Sequence, residues 1–458
     1  MDPKRFTVHM LVCFFGMGSW IAINGVWVEL PILVIKSPEQ WNLPSTLAIT
    51  TQLANISPLL VTLVQIFRPK MYNRNLVIYS VLTVGLLSTL LLTFLCDKTA
   101  HVGGREISLA LYILYFALAC VDCTSSVTFL PFTVELENSF LTTFFIGEGL
   151  SGVFPSVVAL LQGAGKTYCV EESTVNVSRN QSTNAKHSVY EEPRFSEKVF
   201  FGFVFLMMLL CSISFVLLNT LSFAKQCRVC WSDNSNNLNE KRRKLRIRGK
   251  EEKVKESSKK TDLESSKFIK ADQQKPPSSG VPSLNNRSFF YLLCLVLWAN
   301  IVTNGVLPSI SSYTCIPYGQ TAYHFAITLG NLANPLACFL AMFVTTRHYQ
   351  GIGCWSFLGT AFGIYLFYLA LQSPCPPLVN SFAGPFIMVL SFIAVVAVLS
   401  YVKVTIGQIF RERGSKQSLL IYGAVVQLGS FLGALTMFLL LQCSNYVEGG
   451  DICTTACH

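Results

Sequence analysis

Eleven separate apolar stretches run along this chain, near residues 8–34, 44–67, 75–95, 106–130, 139–163, 198–222, 288–310, 322–344, 351–371, 384–409 and 418–442. Each reaches the roughly 20 residues a helix needs to cross hydrocarbon. In lipid every backbone donor and acceptor must be satisfied within the segment, so stretches of this kind fold as helices. The first is too long for a cleaved signal peptide and carries Trp20, Asn24 and Glu29. Composition agrees: 51% of residues are hydrophobic and only 13% charged, about half the roughly 25% of a soluble domain. The expected class is an all-α membrane protein of eleven transmembrane helices.

A net charge of +10 raises the question of nucleic-acid binding. The segment from Lys225 to Lys275 alone holds 16 Lys and Arg against 8 Asp and Glu, so +8 of the total sits there. This segment lacks apolar periodicity and reads as a disordered linker over 224–287, flanked by helical bundles over 1–223 and 288–444 and a Cys-containing tail over 445–458. The charge belongs to a linker near the lipid bilayer, and no nucleic-acid partner is expected.

Basic residues also orient the chain. Lys4 and Arg5, then Arg68, Lys70 and Arg74, then Lys241 to Lys244, Arg347, and finally Arg411, Arg413 and Lys416 all fall on one side. That side is expected to be cytosolic and to hold the N-terminus, which leaves the C-terminus outside. The opposite side carries two glycosylation sequons, at Asn176 and Asn180. Seven of the 16 cysteines fall there or at its edge, among them Cys375, Cys453 and Cys457. A Cys375–Cys453 disulfide tying the tail to a Pro-rich loop is the favoured pairing, although sequence does not fix connectivity.

The chain also repeats itself. Asn24-Gly25-Val26 in span 1 recurs as Asn304-Gly305-Val306 in span 7, and Leu53-Ala54-Asn55 in span 2 recurs as Leu332-Ala333-Asn334 in span 8. Gly149 matches Gly429 and Gln162 matches Gln442, and all four offsets are 279 or 280. Six spans separate equivalents, so the repeats run parallel, in two bundles of six and five helices. This plan is known from major-facilitator-like carriers, which bind substrate between the halves near the midplane; an equilibrative-nucleoside-transporter-like arrangement is the other candidate.

Polar groups within hydrocarbon are costly and tend to face a cavity or a partner. Glu29, Asp122, Glu148, His324 and Lys403 lie inside predicted spans. Lys403 is near enough to the inner end of span 10 to snorkel, and Asp122 reads equally as a structural partner. Trp20, Asn24 and Trp27 have the spacing of one helix face. Span 2 adds Gln52 and Asn55, span 7 adds Asn300, Thr303 and Asn304, and span 8 adds Asn331 and Asn334. Amides and aromatics on facing repeats suit a planar ligand that hydrogen-bonds along its edges.

No enzyme is expected, since no paired catalytic group stands at fixed spacing. Gly163-Ala-Gly165-Lys166-Thr167 imitates a phosphate loop, but its first glycine position is Leu160. A receptor would have seven spans, and a channel would show a filter-like loop.

Several segments resemble the vertebrate riboflavin transporters, solute carrier family 52. They are Phe15-Gly16-Met17-Gly18-Ser19-Trp20, Asn24-Gly25-Val26-Trp27-Val28-Glu29-Leu30-Pro31, Thr128-Phe129-Leu130-Pro131-Phe132 and Leu399-Ser400-Tyr401-Val402-Lys403-Val404. Gln52-Leu53-Ala54-Asn55, Val121-Asp122-Cys123-Thr124-Ser125-Ser126 and Gly147-Glu148-Gly149-Leu150-Ser151-Gly152 are most similar to the member 3 branch, while other branches tend to have Gln at Glu148. The resemblance implies sodium-independent uptake of riboflavin across the plasma membrane, stimulated by acidic pH, with riboflavin as cargo and no cofactor. It implies stacking of the flavin ring on Trp20, Trp27 or Phe144, and hydrogen bonding to the amides above. Glu148 becomes the proton-sensing candidate, because a carboxyl at that depth ionises at a cost set by its surroundings. A monomer is favoured. The alternative is a facilitative carrier for another flat solute such as a nucleoside.

Overall fold

The computed structural model describes residues 3–133, 135–176, 181–227, 285–344, 346, 348–413, 416–443 and 447–450. Most of the expected linker, the Asn180 sequon and Cys453 lie outside the described residues. Ten helices are long and apolar enough to cross a membrane, and a bent pair, Pro3–Met17 with Ile21–Lys36, makes an eleventh span. Spans 2 to 6 are Gln40–Phe67, Arg74–Leu95, Leu109–Thr133, Asn138–Gln162 and Glu197–Thr220. Spans 7 to 11 are Asn286–Tyr318, Gln320–Phe343, Tyr349–Leu371, Ala383–Arg413 and Lys416–Cys443. The chain is a multi-pass membrane protein of the expected all-α class.

Why the helices pack as they do follows from their small residues. A side chain on Gly147 of span 5 would lie 2.1 Å from the Cys13 carbonyl of span 1. One on Gly305 of span 7 would lie 2.4 Å from the backbone of Gly433 in span 11. Glycine at these positions lets helix backbones touch, which drives association where lipid is as apolar as the side chains. The core of the N-terminal half is aromatic: Phe15 stacks on Phe129 at 4.5 Å and on Phe215 at 5.1 Å. Burial ranks the spans, with 61% of the most apolar window buried in span 4 against 17% in span 2. Span 4 is therefore central and span 2 peripheral, its exposed Leu59, Leu60 and Phe67 turned away from the protein core.

Two interruptions matter for function. Span 1 breaks at residues 18–20 with a 53° bend. The helix that restarts at Ile21 has free N–H groups in its first turn. The Asp122 carboxylate of span 4 accepts from one of them, Ile23 N–H, at 3.2 Å. Span 7 deviates just after the equivalent place, which is 298–300, but stays helical, through a π-turn over Ile301–Val306.

Outside the spans, two hairpins occupy segments whose sequence carries no strand signal. β1 (Ala100–Val102) pairs with β2 (Arg105–Ile107). β3 (Lys166–Asn176) pairs with β4 (Gln181–Glu191) in register from Lys166↔Glu191 to Asn176↔Gln181. The strands are short or polar on both faces, so neither gives an alternating apolar signal. The phosphate-loop look-alike is the turn into β3: Gly165 has φ +70°, and a side chain there would collide with the Glu191 carbonyl. Cys375 is disulfide-bonded.

The halves meet most tightly at the end that carries Trp41. Ser312 Oγ donates to the Trp41 carbonyl at 2.6 Å, and Tyr313 OH donates to Asn42 Oδ1 at 2.8 Å. Gln320 Nε2 donates to the Pro31 carbonyl. At the opposite end, the ion pairs Arg5–Glu137 and Arg74–Glu135 each stay within the N-terminal half.

Candidate substrate site

The break in span 1 changes the geometry expected of its aromatic face. Trp20 is not on the same helix as Asn24 and Trp27; it precedes Ile21 with φ −136°. Its indole lies beside the Glu148 carboxyl of span 5. Trp27 turns elsewhere, to the Tyr115 hydroxyl of span 4. Tyr115 also shares a 2.7 Å hydrogen bond with Thr51 of span 2. A continuous helix would have aligned the two indoles, and the 53° bend separates them.

Asn24 joins Trp20 at the same wall. Its Nδ2 donates to Ser151 Oγ at 3.2 Å, and Ser151 Oγ donates back to the Glu148 carbonyl at 2.6 Å. The C-terminal half closes on this point. Asn331 Nδ2 lies 3.5 Å from the Asn24 carbonyl. The ring of Pro335 and the Asn331 carbonyl approach Gly152 of span 5. Pro335 has no N–H, which leaves the carbonyl four residues back, that of Asn331, without its helical partner and free to accept. Trp20, Asn24, Glu148 and Asn331 thus come together from spans 1, 5 and 8.

The C-terminal half supplies a second polar wall. Asn304 Nδ2 donates to Ser430 Oγ at 2.9 Å and lies 3.2 Å from Asn300 Oδ1. Lys403 Nζ donates to Thr303 Oγ1 at 2.9 Å. Lys403 therefore points into the bundle and does not snorkel to the interface. Asn334 is exposed on span 8, one turn from Asn331. Gln52 and Asn55 meet each other at 3.4 Å beside the interruption in span 2.

Three expected positions lie elsewhere. Phe144 is buried against Phe15 in the aromatic core, with ring centroids 6.1 Å apart, so its ring serves the packing of that half. Glu29 is fully buried and accepts from Gln162 Nε2 at 2.9 Å. Asn300 is buried, and its Nδ2 donates to the Val296 carbonyl at 2.7 Å. Glu29 and Asn300 hold helices and side chains in place.

Ser151 and Ser430 escaped the sequence reading. The signal was present: Ser151 follows Glu148 by one helical turn, and Ser430 follows it at the repeat spacing of 279. The Asn24–Ser151 and Asn304–Ser430 bonds are one contact built twice.

Comparison with known proteins gives one answer from sequence. The profile of solute carrier family 52, riboflavin transporter, matches residues 4–448. Solute carrier family 52, riboflavin transporter, member 3-B from Danio rerio is 43% identical, covering 98% of this chain and 99% of its own. The human member 3 is 40% identical over 99% of both chains. Riboflavin transporter 2 from Salmo salar is 41% identical over 98% of both. Among solved structures, the nucleoside transporter NupG aligns with a TM-score of 0.54 at 10% identity, covering 98% of this chain and 94% of that one. A peptide transporter, POT, aligns with a TM-score of 0.53 at 10% identity, covering 96% and 88%. These likenesses concern the fold.

Proposed function

The chain belongs to solute carrier family 52, the riboflavin transporters, and we propose that it takes up riboflavin across the plasma membrane by alternating access, without sodium and with stimulation by acidic pH. It is a transporter and not an enzyme. The observation that carries the proposal is the polar site divided between the halves, with Trp20, Asn24 and Glu148 on one and Asn331 on the other. A flat ring with a hydrogen-bonding edge and a hydroxylated chain needs aromatic faces and amides together. Trp20 provides the first. Asn24, Gln52, Asn55, Asn304, Asn331 and Asn334 provide the second.

Alternating access needs one end sealed while the other is open. The hydrogen bonds at Trp41, Asn42 and Pro31 form such a seal across the halves. The basic residues assign that end to the outside, with the N-terminus cytosolic, the C-terminus extracellular and the sequons at Asn176 and Asn180 on the glycosylated side. Glu148 is the proton-responsive group: its carboxyl faces Trp20 and lies within electrostatic range of the Cys338 thiol. Protonation changes what it can accept and donate toward a ligand.

The test is uptake of labelled riboflavin in cells expressing the protein, with sodium replaced and with flavins or nucleosides as competitors. The expected result is saturable uptake that survives sodium removal, is inhibited by flavins and ignores nucleosides. Competition by nucleosides would move the substrate class. Glu148→Gln is expected to flatten the pH profile; an unchanged profile would remove Glu148 as the proton-responsive group.

A further inference from the structure

The repeat places two buried-span charges of opposite sign at matching positions. Asp122 of span 4 and Lys403 of span 10 stand 281 residues apart, within one or two residues of the other repeat offsets. Their contacts match as well. Asp122 bonds span 1 at Ile23, and Lys403 bonds span 7 at Thr303, 280 residues further on. Their situations differ. Asp122 is fully buried, and one oxygen of its carboxyl, Oδ2, accepts from the helix end exposed at the span 1 break, while Oδ1 is buried with no partner among the described residues. The π-turn keeps span 7 helical, so no helix end there calls for a charge.

Lys403 is half-buried, and among the described residues no carboxylate lies within 4 Å of its ammonium. A hydroxyl, Thr303 Oγ1, is its hydrogen-bond acceptor, which leaves two of its three N–H donors unused. An unpaired ammonium in a low-dielectric bundle is costly unless something completes its shell. The Cys338 thiol of span 8 lies within electrostatic range of both Lys403 and Glu148. That stretch of span 8 also carries Asn331 and Asn334, and the Cys338 thiol lies 3.9 Å from Asn334 Oδ1.

We propose that Lys403 is a substrate-binding residue that donates to the carbonyl edge of the flavin ring, opposite Glu148 across the divided site. This rests on riboflavin being the cargo. A carbonyl conjugated into a ring is a strong, delocalised acceptor, and a charged donor gains more from it than from a neutral hydroxyl. Thr303 aims the amine, so it is a positioning residue.

The experiment measures uptake kinetics for Lys403→Met and Lys403→Arg at matched surface expression, with lumiflavin, which keeps the ring carbonyls and lacks the ribityl chain, as a competitor. Losing one charge-assisted hydrogen bond predicts a rise of about tenfold or more in KM for riboflavin, and a similar rise in the lumiflavin inhibition constant. The arginine variant is expected to recover most of the affinity. An unchanged KM, a loss confined to the maximal rate, or a rise for riboflavin without one for lumiflavin would overturn the assignment. If the methionine variant fails to reach the surface, Thr303→Val serves in its place, with a KM rise of about threefold expected and none contradicting the proposal. Absence of saturable riboflavin uptake in the unaltered protein would instead defeat the cargo reading itself.

Discussion

Span 1 with span 4, and span 7 with span 10, are the same unit built twice, and the first helix of each unit is interrupted in a different way, at Gly18-Ser19-Trp20 in one and over Ile301–Val306 in the other. In the first unit the helix breaks, its new N-terminus is exposed, and Asp122 is drawn in to cap it. In the second the helix absorbs the irregularity as a π-turn, and the matching charge is Lys403, held only by Thr303. The Asn–Ser contact next to each irregularity is the same in both. The repeat therefore conserves the scaffold contact and frees the charge to differ. In one half the charge stabilises the fold, and in the other it is available to a ligand.

The comparison breaks first if the close contact of the second unit can be loosened without harm. Gly305→Val or Gly433→Val would put side-chain atoms into the opposing backbone, at 2.4 and 2.5 Å for the first carbon alone. We expect loss of folded protein, a cost of about 3 kcal/mol or more, seen as loss of the monodisperse fraction after detergent extraction. Gly152→Ala has its nearest neighbour at 3.6 Å and should extract normally.

Next in size is the stability difference between the matched charges. Asp122→Ala removes the cap and should cost about 2 kcal/mol in thermal unfolding of the purified protein, with Asp122→Asn recovering much of it. Lys403→Met should leave thermal stability intact. Equal destabilisation by both would erase the proposed division between structural and ligand-facing charge.

Smaller still are the twin serine bonds. Ser151→Ala and Ser430→Ala should each cost about 1 kcal/mol, and Ser151→Ala should also weaken uptake because Asn24 loses its anchor. The smallest effect belongs to the outer surface. Lys198 beside Asp97, at 2.8 Å, holds the Asp97 carboxyl below its usual range. A depressed carboxyl contributes stability above the ordinary carboxylate range and loses it as pH falls through its own lower value. Asp97→Asn should therefore change unfolding slightly at neutral pH and not at all in strong acid, as pH-dependent melting would show.

Much of this was legible in the sequence because lipid leaves few options. Each span from Gln40–Phe67 to Lys416–Cys443 lies within a few residues of its apolar stretch, except where span 7 runs on to Tyr318. The repeat was legible because four matches, each weak by itself, fall in order at an offset of 279 or 280. What stayed hidden was the way each irregularity is built. Nothing in Gly18-Ser19-Trp20 distinguishes a break from a π-turn, so Trp20 and Trp27 were placed on one face. Phe144 reads as a stacking ring because sequence does not show that it is buried against Phe15. Lys403 looked like an anchor because the hydroxyl that receives it lies 100 residues away.

The central claim is a riboflavin site shared by two halves that open in turn. Counterflow in proteoliposomes tests it most directly. Vesicles preloaded with unlabelled riboflavin should take up labelled riboflavin faster than empty ones, and the rate should saturate. A linear flux that does not respond to riboflavin inside would contradict it.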